Sequence, residues 1–284
     1  MTKSSRLMLV FVALCLAPFG ALAQVLLESD TGRTEGFFTK KSVYQRAIML
    51  PAAEKSDTAV LFYPGSPGIV WIEPNSTYYP PGFNTGTSPY TFQTNNISFV
   101  MMDCPTDEWG EKSFSQPPTG CDDTYRKSER HAEDARLIIK KLKTEFNITK
   151  IYLMGHSHGT VSVKWLGRAL GNEISGVINS GASTTGYRGA WSRYAWSVVN
   201  FDMKSIKVPA LNVHHEKDGC EFSPYSTVLD YSTNNLITVR GGIASGDPCR
   251  SKSSYHSYGG LSDIVSRAII NWIKTREVQQ FIGE

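Results

Sequence analysis

The stretch that most restricts how this chain can fold is TKIYLMGHSHGTVSVKWLGRAL, Thr149 to Leu170. A short apolar run, Ile151 to Met154, leads into Gly155-His156-Ser157-His158-Gly159, after which Val161, Trp165, Ala169 and Leu170 recur at helical spacing. The pattern predicts strand, tight turn, helix. A serine at the centre of such a turn takes a strained backbone conformation, and glycines two before and two after it let strand and helix pass close together. The turn lifts the Ser157 hydroxyl above the sheet edge and leaves the next N–H, that of His158, to bind a developing oxyanion. Ser157 is therefore a candidate nucleophile. In a chain with 24 glycines a five-residue match is weak by itself, so the downstream sequence must supply an acid and a histidine.

Val208 to Val213 predicts a strand, and His214-His215-Glu216-Lys217-Asp218-Gly219-Cys220 follows it directly. In a doubly wound sheet functional side chains collect at the carboxyl ends of strands, so this turn belongs on the face of Ser157. Asp218 is the candidate acid, ahead of Glu216 and of the less well placed Asp103, Asp202 and Asp247. His214 and His215 emerge from the strand itself and read as packing or hydrogen-bonding residues. Leu236 to Val239 is the last strand, and an amphipathic helix carrying Leu261, Ile264, Val265, Ala268 and Trp272 closes the domain. His256 lies in the loop between them, the expected place for a base. Upstream, the strand Thr58 to Tyr63 breaks at Pro64-Gly65-Ser66-Pro67-Gly68. Gly65 or Ser66 could there donate a second oxyanion N–H, whereas Pro67 has none.

Further strands are expected at Ser42 to Leu50, after a polar leader, and at Ile97 to Asp103 and Ile174 to Asn179. One long helix is expected from Thr124 to Phe146, with His131 on its solvated side. From Ile69 to Asn96 aromatic residues stand among Pro, Gly, Asn and Thr, which reads as a packed loop. The segment Thr184 to Ser205 reads as a small flap. Trp71, Tyr78, His156 and Trp191 are candidate substrate contacts.

Lys3 and Arg6, an apolar run from Leu7 to Ala17 and the close Ala21-Leu22-Ala23 describe a secretory signal peptide over residues 1–23, leaving a single domain over 24–284. The run is shorter than the ~20 residues of a membrane span, so no stable anchor is expected. Cleavage would take the formal charge from +3 to +1 by removing Lys3 and Arg6. Nothing in that balance attracts nucleic acid, and a periplasmic or secreted location is expected. Cys104, Cys121, Cys220 and Cys249 form an even set, for which the sequence-local pairs Cys104–Cys121 and Cys220–Cys249 are favoured among three connectivities. No metal-ligand spacing is present and no cofactor is expected. The second disulfide would tie the Asp218 loop to the His256 loop.

The order Ser157, Asp218, His256 resembles the α/β-hydrolase superfamily, whose members place nucleophile, acid and histidine in that sequence along the chain. The resemblance runs from Ala59 to about Lys274 and rests on the PGSPG turn, GHSHG, the Asp218 turn and the His256 loop. It implies an α/β-hydrolase fold: a mostly parallel central sheet flanked by helices, without a large cap domain. It also implies an exported serine hydrolase that cleaves carboxylic ester or related acyl bonds of a small-molecule substrate through an acyl-enzyme. The PGSPG turn lacks the His-Gly-Gly signature of many lipases, which leaves the second oxyanion donor and the substrate subclass open. A peptidase, amidase or thioesterase on the same fold, or a non-catalytic binding protein on that scaffold, are the alternatives. Oligomeric state is not legible.

Overall fold

The computed structural model describes residues 24–75, 85–109, 121–185, 201–230, 232 and 234–283. Residues 1–23, Tyr78, Trp191 and most of the expected flap fall outside those residues. The described strands are β1 (Val25–Glu35), β2 (Lys41–Leu50), β3 (Thr58–Tyr63), β4 (Ser98–Met102), β5 (Lys150–His156), β6 (Gly176–Ser180), β7 (Ala210–His215), β8 (Leu236–Val239) and β9 (Phe281–Ile282). They form one sheet in the order β1-β2-β4-β3-β5-β6-β7-β8-β9. The hairpin β1–β2 and the pair β2–β4 are antiparallel, and every pairing from β4 to β9 is parallel.

The helices are α1 (Pro89–Thr94), α2 (Asp123–Arg126), α3 (Glu129–Glu145), α4 (Gly159–Leu170), α5 (Tyr225–Leu229) and α6 (Ser262–Thr275). Alternate side chains of the parallel strands enter two separate cores, as expected of strands covered on both faces. Val60, Phe62, Tyr152 and Met154 pack with Val265, Ile269 and Trp272 of α6. Ala59, Leu61, Ile151 and Leu153 pack with Ala135, Ile138 and Leu142 of α3 and Val163 and Leu166 of α4. Among the described residues no helix is long and apolar enough to cross a membrane. Both sequence-local disulfides, Cys104–Cys121 and Cys220–Cys249, are formed.

Four expectations change. The packed loop expected from Ile69 to Asn96 includes the helix α1, started by Pro89 behind the N-cap Ser88, whose hydroxyl accepts the Thr91 N–H at 3.4 Å. The polar leader is the edge strand β1, in which only Leu27 is fully buried, so it shows almost none of the apolar alternation that marks a strand. The long helix is two helices, because the Ser128 hydroxyl accepts the His131 N–H at 3.2 Å and caps a new start. That restart turns His131 inward, between Tyr63 and Tyr125 at ring-centroid distances of 5.4 and 4.7 Å, so it is a buried residue and not a solvated one.

Candidate active site

The glycines around Ser157 are required by contact distance. A Cβ on Gly155 would stand 2.4 Å from the Gly159 carbonyl oxygen, and one on Gly159 would stand 2.0 Å from that of Tyr63. Strand β5 and helix α4 therefore meet at backbone contact, and Ser157 between them adopts φ 55°. The turn is held by the Ser157 N–H donating to Ser180 O at 3.0 Å and the Thr160 hydroxyl donating to Ser157 O at 2.7 Å. His158 occupies the N-cap of α4, so its backbone N–H stands at the positive end of the helix dipole. Gly65 comes against the same serine: a Cβ built on it would lie 3.2 Å from Ser157 Cβ and 3.7 Å from Ser157 Oγ. The Pro64–Gly68 turn and the Ser157 turn thus face each other at adjacent strand ends, with Ser66 next in the chain.

Asp218 and His256 meet at the carboxyl ends of later strands. His256 Nδ1 lies 2.7 Å from Asp218 Oδ2, with both side chains buried. The Ser223 hydroxyl donates to the same carboxylate oxygen at 3.1 Å and lies 2.9 Å from His256 Nδ1. His214 Nε2 is 3.2 Å from Asp218 Oδ2 and 2.8 Å from Ser223 O, and the Cys220 N–H donates to Asp218 Oδ1 at 2.9 Å. Burial opposes the Asp218 charge, but the bonds to His214 and His256 outweigh it and hold the carboxyl below the usual carboxylate range. An ionised Asp218 fixes the proton of His256 on Nδ1 and leaves Nε2 as the acceptor. Among the described residues His256 Nε2 has no hydrogen-bond partner. Ser157 and His256 are not directly bonded, as in many sites without substrate. The ring of His156, the residue before Ser157, lies with its centroid 5.0 Å from that of His256.

His156 was expected to touch substrate, and the structure places it elsewhere. It shares the face of β5 that carries Tyr152 and Met154, is buried, and lies 3.1 Å through Nδ1 from Ser180 Oγ. Burial, then the neighbouring His256, push its pKa well below the usual histidine value. Trp71 is half-buried at φ 55° and packs on the cluster of Ile69, Tyr125 and the Cys104–Cys121 disulfide. Its loop is held by Asp103, which accepts the N–H groups of Val70 and Ile72, each at 2.7 Å.

Several neighbours carry no sequence signal of their own. Tyr258 is buried at φ 56°; its hydroxyl donates to Val213 O at 2.8 Å and accepts the Gly181 N–H at 2.9 Å, fastening the His256 loop to the ends of β6 and β7. Arg126, 1 % exposed, donates to Cys121 O, Ser162 Oγ and Pro64 O at 3.0, 2.7 and 3.4 Å. Among the described residues no three His, Cys, Asp or Glu side chains are grouped to hold a metal ion. A cavity of about 570 Å³ lined by Thr58, Lys150, Tyr152 and Arg276 opens at the amino ends of β3 and β5, the opposite end of the sheet from Ser157, and is unrelated to these groups.

Solved structures align with this arrangement over most of its length. XC6422 from Xanthomonas campestris, an α/β serine hydrolase without lid, superimposes with TM-score 0.50 at 13 % identity, over 83 % of this chain and 90 % of its own. A cold-adapted esterase from an Arctic intertidal metagenomic library gives 0.52 at 13 % identity, over 89 % and 93 %. The chain has the α/β-hydrolase fold. Acylaminoacyl peptidase from Pyrococcus horikoshii shares the same α/β-hydrolase core, with TM-score 0.51 at 12 % identity over 83 % of this chain and 39 % of that one. No family model and no curated protein sequence matches the chain.

Proposed function

We propose that the chain is an exported serine hydrolase that cleaves carboxylic esters of small molecules. The observation that carries this reading is the Asp218–His256 pair at 2.7 Å, with His256 Nε2 unpartnered at the strand end where Ser157 sits at φ 55°. In this reaction Ser157 Oγ attacks the acyl carbon while His256 Nε2 takes its proton. The carbonyl oxygen, now an oxyanion, is bound by the N–H of His158 and by that of Gly65 or Ser66. His256 returns the proton to the departing alcohol, leaving an acyl-Ser157 ester that water then hydrolyses by the same proton route. Asp218 stays ionised and orients the imidazolium. The residue 1–23 leader and the two disulfides support an exported location.

The test is covalent labelling with a fluorophosphonate, followed by p-nitrophenyl esters of graded acyl length. Wild type should label at Ser157 and turn over esters, and Ser157→Ala should do neither. A folded wild-type protein that never labels would overturn the reading in favour of a binding protein. Thioester and amide substrates in the same panel decide the bond class.

A further inference from the structure

The hairpin joining β1 to β2 ends in Gly36-Phe37-Phe38-Thr39-Lys40, with Lys41 opening β2. Phe37 and Phe38 are 91 % and 96 % exposed, more than any other large apolar side chain among the described residues. Their rings sit edge to face with centroids 5.0 Å apart. Two adjacent aromatic rings in water carry a hydration cost that a soluble turn has no folding reason to keep.

The neck of this hairpin is fixed although its tip is bare. Thr34 pairs with Ser42 and Glu35 with Lys41. The Arg33 guanidinium donates two hydrogen bonds to Asp134 of α3 at 2.8 and 3.0 Å and approaches Asp107 at 3.7 Å. Register gives the direction in which the tip points. Ala47 of β2 lies opposite Met102 at the carboxyl end of β4, so residues 41–46 run on past that end. At ~3.3 Å per residue they would carry the tip at most roughly 20 Å beyond it, a reach shortened by the bulge of β1 between Asp30 and Thr34. The carboxyl end of β4 is also the end at which Ser157 follows β5, so the rings project from the face that holds Ser157, Asp218 and His256.

We propose that this hairpin docks the protein reversibly on an anionic lipid surface, inserting Phe37 and Phe38 while Lys40 and Lys41 meet the headgroup phosphates. Shape and charge favour lipid over protein. The tip is a convex wedge, which a fluid bilayer admits without a preformed groove. Lys40 and Lys41 are exposed directly behind the rings and form no ion pair among the described residues, so their charge is available to lipid phosphate. Membrane affinity grows with the apolar area inserted plus the attraction to anionic headgroups, and two rings with two lysines supply only a small amount of each, which makes the attachment weak and reversible. Docked in this way, the face with Ser157 would look toward the bilayer. The inference does not depend on the catalytic reading, because binding is measured without turnover.

The experiment is flotation of the full-length mature protein with vesicles of phosphatidylcholine alone or with about one-third phosphatidylglycerol, at low and high salt. Wild type should float with the anionic vesicles and be released by salt. Phe37→Ser/Phe38→Ser should lower the partition coefficient by at least ~10-fold, with melting temperature and fluorophosphonate labelling unchanged. Lys40→Gln/Lys41→Gln should weaken binding several-fold and flatten its salt dependence. The proposal is overturned if wild type does not float, or if the phenylalanine variant floats as well as wild type. It is equally overturned if sedimentation shows a dimer that this variant abolishes while vesicle binding is absent, which would make the tip a contact between copies of the chain.

Discussion

His158 Nε2 lies 2.7 Å from Asp123 Oδ1, and both side chains are buried. The residue whose N–H is assigned to the oxyanion is therefore braced from behind by a carboxylate on α2. Arg126 of the same short helix donates to Pro64 O, at the start of the turn assigned the second donor. One four-residue helix, tied to β4 through Cys104–Cys121, thus reaches both halves of the proposed oxyanion hole. Asp123→Ala should lower kcat about 10- to 100-fold with KM little changed, since a donor shifted by ~1 Å loses much of its effect on the transition state. Asp123→Asn keeps an acceptor for His158 and should recover part of the loss. Equal kcat in a folded Asp123→Ala protein would sink the positioning role.

Asp218 and Ser223 both contact the Nδ1 side of His256, but only one of them carries charge. Asp218→Asn should reduce kcat/KM by about 10⁴-fold, the size seen when a serine-protease triad loses its acid. Ser223→Ala removes a hydroxyl 2.9 Å from Nδ1 and leaves the 2.7 Å carboxylate contact in place. Its cost should be nearer 10-fold, on the scale of one net hydrogen bond. A pH–rate profile separates the two: the Asn variant should change its shape, and the Ala variant only its height.

Cys220 donates its N–H to Asp218 Oδ1 at 2.9 Å, and its disulfide partner Cys249 lies in the loop that carries His256. Cys220→Ala/Cys249→Ala should lower turnover at temperatures where the protein stays folded, and reduction of wild type should do the same. Steady-state kinetics beside a circular-dichroism melt tests this, and unchanged kcat in the folded variant would remove the disulfide from the mechanism.

His131 supplies a pH prediction. Burial, and then the nearby Arg126 charge, push its pKa down to about 3 from the ordinary 6.5. The folded state therefore holds this imidazole neutral where the unfolded chain protonates it. Its contribution is fully present above pH 6.5 and drains away as pH falls toward 3, by as much as ~1.4 kcal/mol per pH unit. His131→Phe should flatten the stability profile in that window, as read from denaturant midpoints at pH 7, 5.5 and 4.5. An unchanged acid slope would mean that other groups dominate it.

What the sequence disclosed follows from how local each cause is. The parallel strands are apolar on both faces and stand out as runs, and the glycines of GHSHG answer to contacts within one turn. Chain order alone directed attention to strand ends for Asp218 and His256. Strand β1 was hidden because an edge strand buries little, and the helix break at Ser128 because a capping serine looks the same as any exposed one. His156 misled because its place next to Ser157 drew more weight than its period-two alignment with Tyr152 and Met154 in β5. Ser223, Tyr258 and Asp123 act through partners 33, 45 and 35 residues away, a separation no local pattern records.

Tyr258 also bears on how this molecule can vary. Its hydroxyl fixes the histidine loop on one side of His256, and Cys249 fixes it on the other. Between β8 and that disulfide, residues 241–248 are exposed throughout. Ile243 and Ser245 donate their N–H groups to Gly259 O and Ser253 O at 3.2 and 3.0 Å, so extra residues near Ala244 would lengthen this loop without shifting the imidazole only where those two bonds are kept. This loop is accordingly where natural insertion, or a grafted recognition segment, could reshape substrate choice while the reacting groups stay where they are.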